Sequence, residues 1–108
     1  MTEETNLINQ YQFLQQQLQA VLMQKEENKL ELLENEKALE EIKNSNTKEV
    51  YKIVGQIMIK KDAEEAKKEI EEKISELEIR MGVFEKTEQK INDKIKELEP
   101  RIQKLLMG

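Results

Sequence analysis

Apolar residues recur in steps of four and three along two stretches of this chain, Leu7 to Ile42 and Ile70 to Leu105, and the pattern lapses between them. The first seam runs Leu7, Tyr11, Leu14, Leu18, Val21, Lys25, Asn28, Leu32, Asn35, Leu39 and Ile42. The second runs Ile70, Ile74, Leu77, Met81, Phe84, Glu88, Ile91, Ile95, Leu98, Ile102 and Leu105. A 3.5-residue spacing held over about five heptads keeps one narrow stripe facing a partner, which predicts supercoiled helices. The two arms are equally long, roughly 54 Å at ~1.5 Å per residue, so one can fold back along the other.

Between the arms, β-branched residues concentrate from Val50 to Ile59. Gly55-Gln56 fits a two-residue turn with glycine first, so Val54 and Ile57 would close a β-hairpin. Thr2 or Thr5 can cap the first helix, and the turn formers from Asn44 to Thr47 end it. Asp62 with Glu65 reads as a variant capping box opening the second helix. The spacing Ala66, Ile70, Ile74 is a stutter that relaxes the supercoil, and Pro100 is expected to kink or fray the last two turns. The expected elements are a helix over 5–44, a hairpin over 49–61 and a helix over 63–106, in a single domain. The fold class is mostly α: a long antiparallel two-helix coiled coil joined by a β-hairpin.

A two-stranded ribbon alone is marginal in water, and this one would leave two edges unpaired beside Val50, Ile53, Val54, Ile57, Met58 and Ile59. One solution is pairing with equivalent hairpins of other subunits into an intersubunit β-barrel. The other is a bend buried on its own helices.

Lys25, Asn28 and Asn35 interrupt the first seam, and Glu88 interrupts the second. Antiparallel folding brings Lys25 opposite Glu88, or Asn28 opposite Glu88 if the layers slip by half a heptad. Either pairing would satisfy a polar group and fix register; alternatively both charged chains reach water. Off the seams lie Ile8, Phe13, Ala20, Leu22, Met23, Leu30 and Leu33 in the first arm and Ile79, Val83, Leu106 and Met107 in the second. Several gather toward the end that carries both termini. They suit either an adaptable binding surface or ordinary widening of the coil.

Composition narrows the function. Of 108 residues 38% are charged, with two Phe, two Tyr and no Trp, so no large compact core is expected. A net charge of −5 with Lys and Glu interspersed offers no basic stripe for nucleic acid. The acidic start is unlike a secretory leader, and no apolar run approaches a bilayer span, so membrane contact is not expected and a cytoplasmic protein is. Without His or Cys the commonest general base, nucleophile and zinc ligands are missing, and three glycines cannot build a phosphate loop. The expectation is a protein that is no enzyme and uses no cofactor or metal.

The order helix, Val50-Tyr51-Lys52-Ile53-Val54-Gly55-Gln56-Ile57-Met58-Ile59-Lys60-Lys61-Asp62, helix resembles the archaeal β subunits of the prefoldin family. The glutamine-rich stretch from Tyr11 to Leu18 agrees with it, and the likeness covers nearly the whole chain. The resemblance implies an ATP-independent chaperone subunit in a hexamer of two α and four β subunits, with a β-barrel body and six coiled-coil tentacles. It implies capture of unfolded polypeptides at the tentacle tips and their transfer to a group II chaperonin. Carried onto this sequence, client binding falls on Leu7, Ile8, Tyr11, Phe13, Leu14, Leu105, Leu106 and Met107. Oligomerisation falls on Val50, Tyr51, Ile53, Val54, Gly55, Ile57, Met58 and Ile59. The competing readings are a structural coiled-coil scaffold and, more distantly, an arm that reads structured RNA.

Overall fold

The computed structural model describes residues 2–107 and contains, in chain order, α1 (Glu3–Ser45), β1 (Glu49–Val54), β2 (Ile57–Asp62) and α2 (Ala63–Met107). Thr2 caps α1: its hydroxyl oxygen accepts the Thr5 N–H at 3.2 Å, and Glu3 and Glu4 complement the positive end of the helix. At the other end the Ser45 hydroxyl donates to the Ile42 carbonyl at 3.0 Å. Asn46 then takes a left-handed φ of 55°, a conformation its short polar side chain tolerates and a β-branched residue would not.

β1 and β2 pair antiparallel with Val54 opposite Ile57, Ile53 opposite Met58, Lys52 opposite Ile59, Tyr51 opposite Lys60 and Val50 opposite Lys61. In the loop Gly55 has a φ of 61°, whereas Gln56 is not left-handed. This is the type II′ arrangement, whose twist matches that of the strands and whose first position favours glycine. The Ala63 N–H closes the root of the hairpin by donating to the Lys48 carbonyl at 2.8 Å. Asp62 then caps α2 through its Oδ2, which accepts the Glu65 N–H at 3.3 Å. Among the described residues one chain supplies only these two strands, so any closed barrel needs strands from other subunits.

Pro100 does not end α2. The helix continues through it to Met107, so of the two expected outcomes, a kink or fraying, the last turns do not fray: the ring removes one N–H bond and crowds the Lys96 carbonyl, and the neighbouring turns retain their bonds.

The chain divides into two compact units. The first combines residues up to Glu27 with those from Met81 onward, and the second is Asn28–Arg80. In the first unit Leu7, Leu14, Val21, Ile91, Ile95 and Leu98 form the buried core, with Tyr11, Leu18, Phe84, Ile102 and Leu105 packed on it. Every one is a seam position. Lys25 Nζ meets Glu88 Oε1 at 3.3 Å in this unit, the first of the two pairings the heptads allowed.

The second unit has a thinner core. Leu77, Ala63 and Ala66 are buried, while Leu32, Leu39, Ile42, Ile70 and Ile74 are only half-buried. Asn28 is buried as well, and its Nδ2 donates to the Leu77 carbonyl at 2.8 Å. Asn35 donates to the Glu31 carbonyl of its own helix. Among the described residues no buried side-chain nitrogen or oxygen lacks a partner.

Candidate functional site

Two exposed apolar surfaces stand out, one in each unit. In the first unit Ile8, Phe13, Leu106 and Met107 are 38%, 59%, 74% and 87% exposed, so their side chains are available to a partner. Leu7 and Leu14 are not: both lie in the helix–helix core, where they hold α1 against α2. Tyr11 and Leu105 are half-buried against that core. The structure brings Ile8, Leu105 and Leu106 to one shallow dent with Ile102 and Glu4. Leu7 and Leu105 form the apolar part of a neighbouring cleft of about 500 Å³, whose charged walls are Glu3, Glu4, Arg101 and Lys104. Phe13 borders neither. The surface is therefore a set of separate apolar side chains ringed by charge of both signs. That arrangement contacts apolar segments without demanding a fixed sequence.

Beneath Ile8 and Phe13 the backbone lies inside α1 and is hydrogen-bonded within the helix, whereas Leu106 and Met107 stand on the last turn of α2, whose carbonyls have no later helical amide to bond.

The ribbon of the second unit differs in kind. Tyr51, Ile53, Val54, Ile57, Met58 and Ile59 are all exposed, and only Val50 and Lys61 are even half-buried. Register sorts them by face. Tyr51, Ile53 and Met58 share one face with Lys60, and Val54, Ile57 and Ile59 share the other with Val50, Lys52 and Lys61. Both faces are thus apolar and open to water. Neither outer edge has a strand beside it among the described residues, so each presents unpaired N–H and C=O groups.

Sequence reasoning missed two contacts of the ribbon, the ion pair of Lys60 with Glu49 across the strands at 2.9 Å and one that reaches α2. Lys61 Nζ donates to both carboxylate oxygens of Glu69 on α2. The hydrogen bond from Lys61, with added attraction from Lys61 and Lys52, holds the Glu69 carboxyl below its ordinary range against the opposing effect of burial. No periodicity joins residues eight apart across a strand–helix junction, so no sequence signal could have paired them.

Among the described residues no cluster of acidic side chains could hold a metal ion, and no helix is long and apolar enough to cross a membrane.

These features agree with what the chain resembles. The family described as Prefoldin subunit matches residues 5–108. The Prefoldin subunit beta of Thermococcus onnurineus is 44% identical over 101 residues, covering 93% of this chain and 87% of that protein. Its counterpart from Pyrococcus furiosus is also 44% identical over 101 residues, covering 93% and 86%. The crystal structure of the prefoldin beta subunit from Thermococcus strain KS-1 superposes with a TM-score of 0.86 at 39% identity, covering 100% of this chain and 96% of that one.

Proposed function

This chain belongs to the prefoldin family, whose members are chaperone subunits rather than enzymes, and we propose that it acts in the cytoplasm as an ATP-independent holdase. In this reading it assembles through its ribbon with prefoldin α subunits and other β subunits into an α2β4 hexamer. It then binds unfolded polypeptides and passes them to a group II chaperonin.

The observation that carries the reading is the exposure of Ile8, Phe13, Leu106 and Met107 on helices whose cores are already closed. Apolar side chains left in water on a finished fold cost solubility unless they meet a partner. Each contact is small, so a single arm would release its client readily. Several arms on one body hold the same extended chain by avidity, and folded proteins, which hide their apolar segments, escape. Tyr11 and Leu105 contribute their exposed edges, while Leu7 and Leu14 act from beneath by keeping the two helices together. Release to a chaperonin needs no nucleotide here, because weak contacts exchange on their own.

The test is light scattering from a chemically unfolded client diluted into the assembled complex without nucleotide. The complex should suppress aggregation, and Phe13→Ser, Leu106→Ser and Met107→Ser together should remove most of that suppression while the assembly keeps its mass. A scaffold would protect no client at all. Addition of a group II chaperonin should then draw labelled client off the wild-type complex.

A further inference from the structure

Within the second unit a cleft of about 650 Å³ separates the ribbon from the helices. Its floor includes the apolar side chains of Ile42, Ala66 and Ile70, and the ribbon overhangs it with Val50, Lys52 and Lys61. On that same ribbon face stand the exposed Val54, Ile57 and Ile59. Val54, Ile57 and Ile59 do not line the cleft itself, so an apolar floor and the apolar outer part of the same ribbon face lie apart in one unit. Hydrophobic attraction alone would fold the ribbon down onto its own helices, burying both.

What opposes that collapse is charge. Lys61 faces Val50 across the ribbon, and these two form the one cross-strand layer of the hairpin that is half-buried. From there Lys61 reaches over to α2 and is gripped by both oxygens of Glu69. Its side chain is 21% exposed and that of Glu69 42%, so the pair is braced in the cleft yet still hydrated. Closing the cleft would strip that water from two charges and from neighbouring Lys52, a penalty that direct attraction between the ions does not reliably repay. The contact acts at the root of the ribbon, where a change of angle displaces everything out to Gly55.

We propose that Lys61 and Glu69 form a positioning strut that holds the ribbon off its own helices, keeping its apolar faces and open edges available to the hairpins of neighbouring prefoldin subunits. The inference rests on the assembly reading above and names the residues that make the interface presentable. It separates two roles of an ion pair. A stabilising pair lowers the melting temperature when removed, whereas a strut, once removed, lets an apolar collapse raise it.

Three variants of the full chain test this, each assayed alone and mixed with an archaeal prefoldin α subunit. Lys61→Leu with Glu69→Leu should melt at or above the wild-type temperature. Its ribbon amides should exchange hydrogen more slowly in the isolated subunit, and the concentration needed for assembly, read by native mass spectrometry, should rise about tenfold or more. Glu69→Lys should weaken assembly, and Lys61→Glu with Glu69→Lys should restore it. A double leucine variant that melts earlier with faster ribbon exchange, or one that assembles like the wild type, would overturn the strut, as would a swap that restores nothing. If the wild type stays monomeric with the α subunit, the assembly reading falls, and ribbon exchange in the isolated subunit still decides the strut.

Discussion

The ribbon and the terminal parts of the two helices both expose apolar side chains, yet they ask different things of a partner. On the helices the main chain is hydrogen-bonded internally except in the end turns. The side chains of Ile8, Phe13, Leu106 and Met107 reach out, as do Leu22, Met23, Leu30, Leu33, Ile79 and Val83 away from the chain ends. A partner there needs only apolar groups, in any order and either direction. On the ribbon two strand edges carry unpaired amides and carbonyls beside Tyr51, Ile53 and Met58. A partner there must supply a strand in register. The same hydrophobic driving force therefore yields promiscuous, reversible contact where the backbone is closed and geometrically fixed association where it is open.

The contrast breaks most sharply if the ribbon is charged. Ile53→Asp with Met58→Asp places two carboxylates opposite each other on the face left most open. Each replaces an apolar side chain whose burial is worth about 1.5–3 kcal/mol, so assembly measured by mass should weaken about a hundredfold or more, with helical circular dichroism unchanged. Normal assembly by this variant would mean the ribbon is not the interface.

Next in size is the terminal surface. Phe13→Ser, Leu106→Ser and Met107→Ser should weaken client capture about tenfold while shifting stability by no more than about 0.5 kcal/mol, since none of the three supports the core. A matching loss of assembly would erase the distinction between the two surfaces.

Smaller effects probe the arms that carry both. Asn28→Leu removes a buried amide and should raise stability by about 1 kcal/mol in thermal melts, while spin-label distances between α1 and α2 broaden as alternative registers become populated. For Lys25 and Glu88, charge reversal at either position should lower the melting temperature and the double reversal should recover about 0.5 kcal/mol of coupling; strictly additive losses would refute the pair.

The smallest effect is acidic. Because the folded-state pKa of Glu69 is lowered, its contribution is present above the ordinary glutamate range and is lost as pH falls through the lowered folded value. A carboxyl titration followed by NMR should therefore find Glu69 protonating below the ordinary glutamate range.

The helices and the hairpin were readable because each rests on a local rule. Heptad steps identify the seam, and Gly55 identifies the turn, with Val54 and Ile57 closing it as expected. The terminal surface was readable only in outline. Leu7 and Leu14 were assigned to the client surface although their own spacing put them in the seam, and the structure finds them in the core. The grip of Glu69 on Lys61 and the bond from Asn28 to a carbonyl lay beyond sequence reading: the first joins unrelated elements, and the second uses an acceptor every residue owns.

That last bond distributes mutational tolerance unevenly between the two helices. Asn28 donates to the main chain at Leu77, and the carbonyl would still be there whatever side chain stood at that position. Substitution in α2 can drift so long as the layer stays filled, whereas position 28 has no such freedom. Heptads are translationally repetitive, and a slip of one repeat would displace one helix along the other by about 10.5 Å at little apolar cost. Lys25 and Glu88 guard the register with one residue on each helix, whereas the Asn28 bond is written on α1 alone, and its relatives should be searched for that asymmetry.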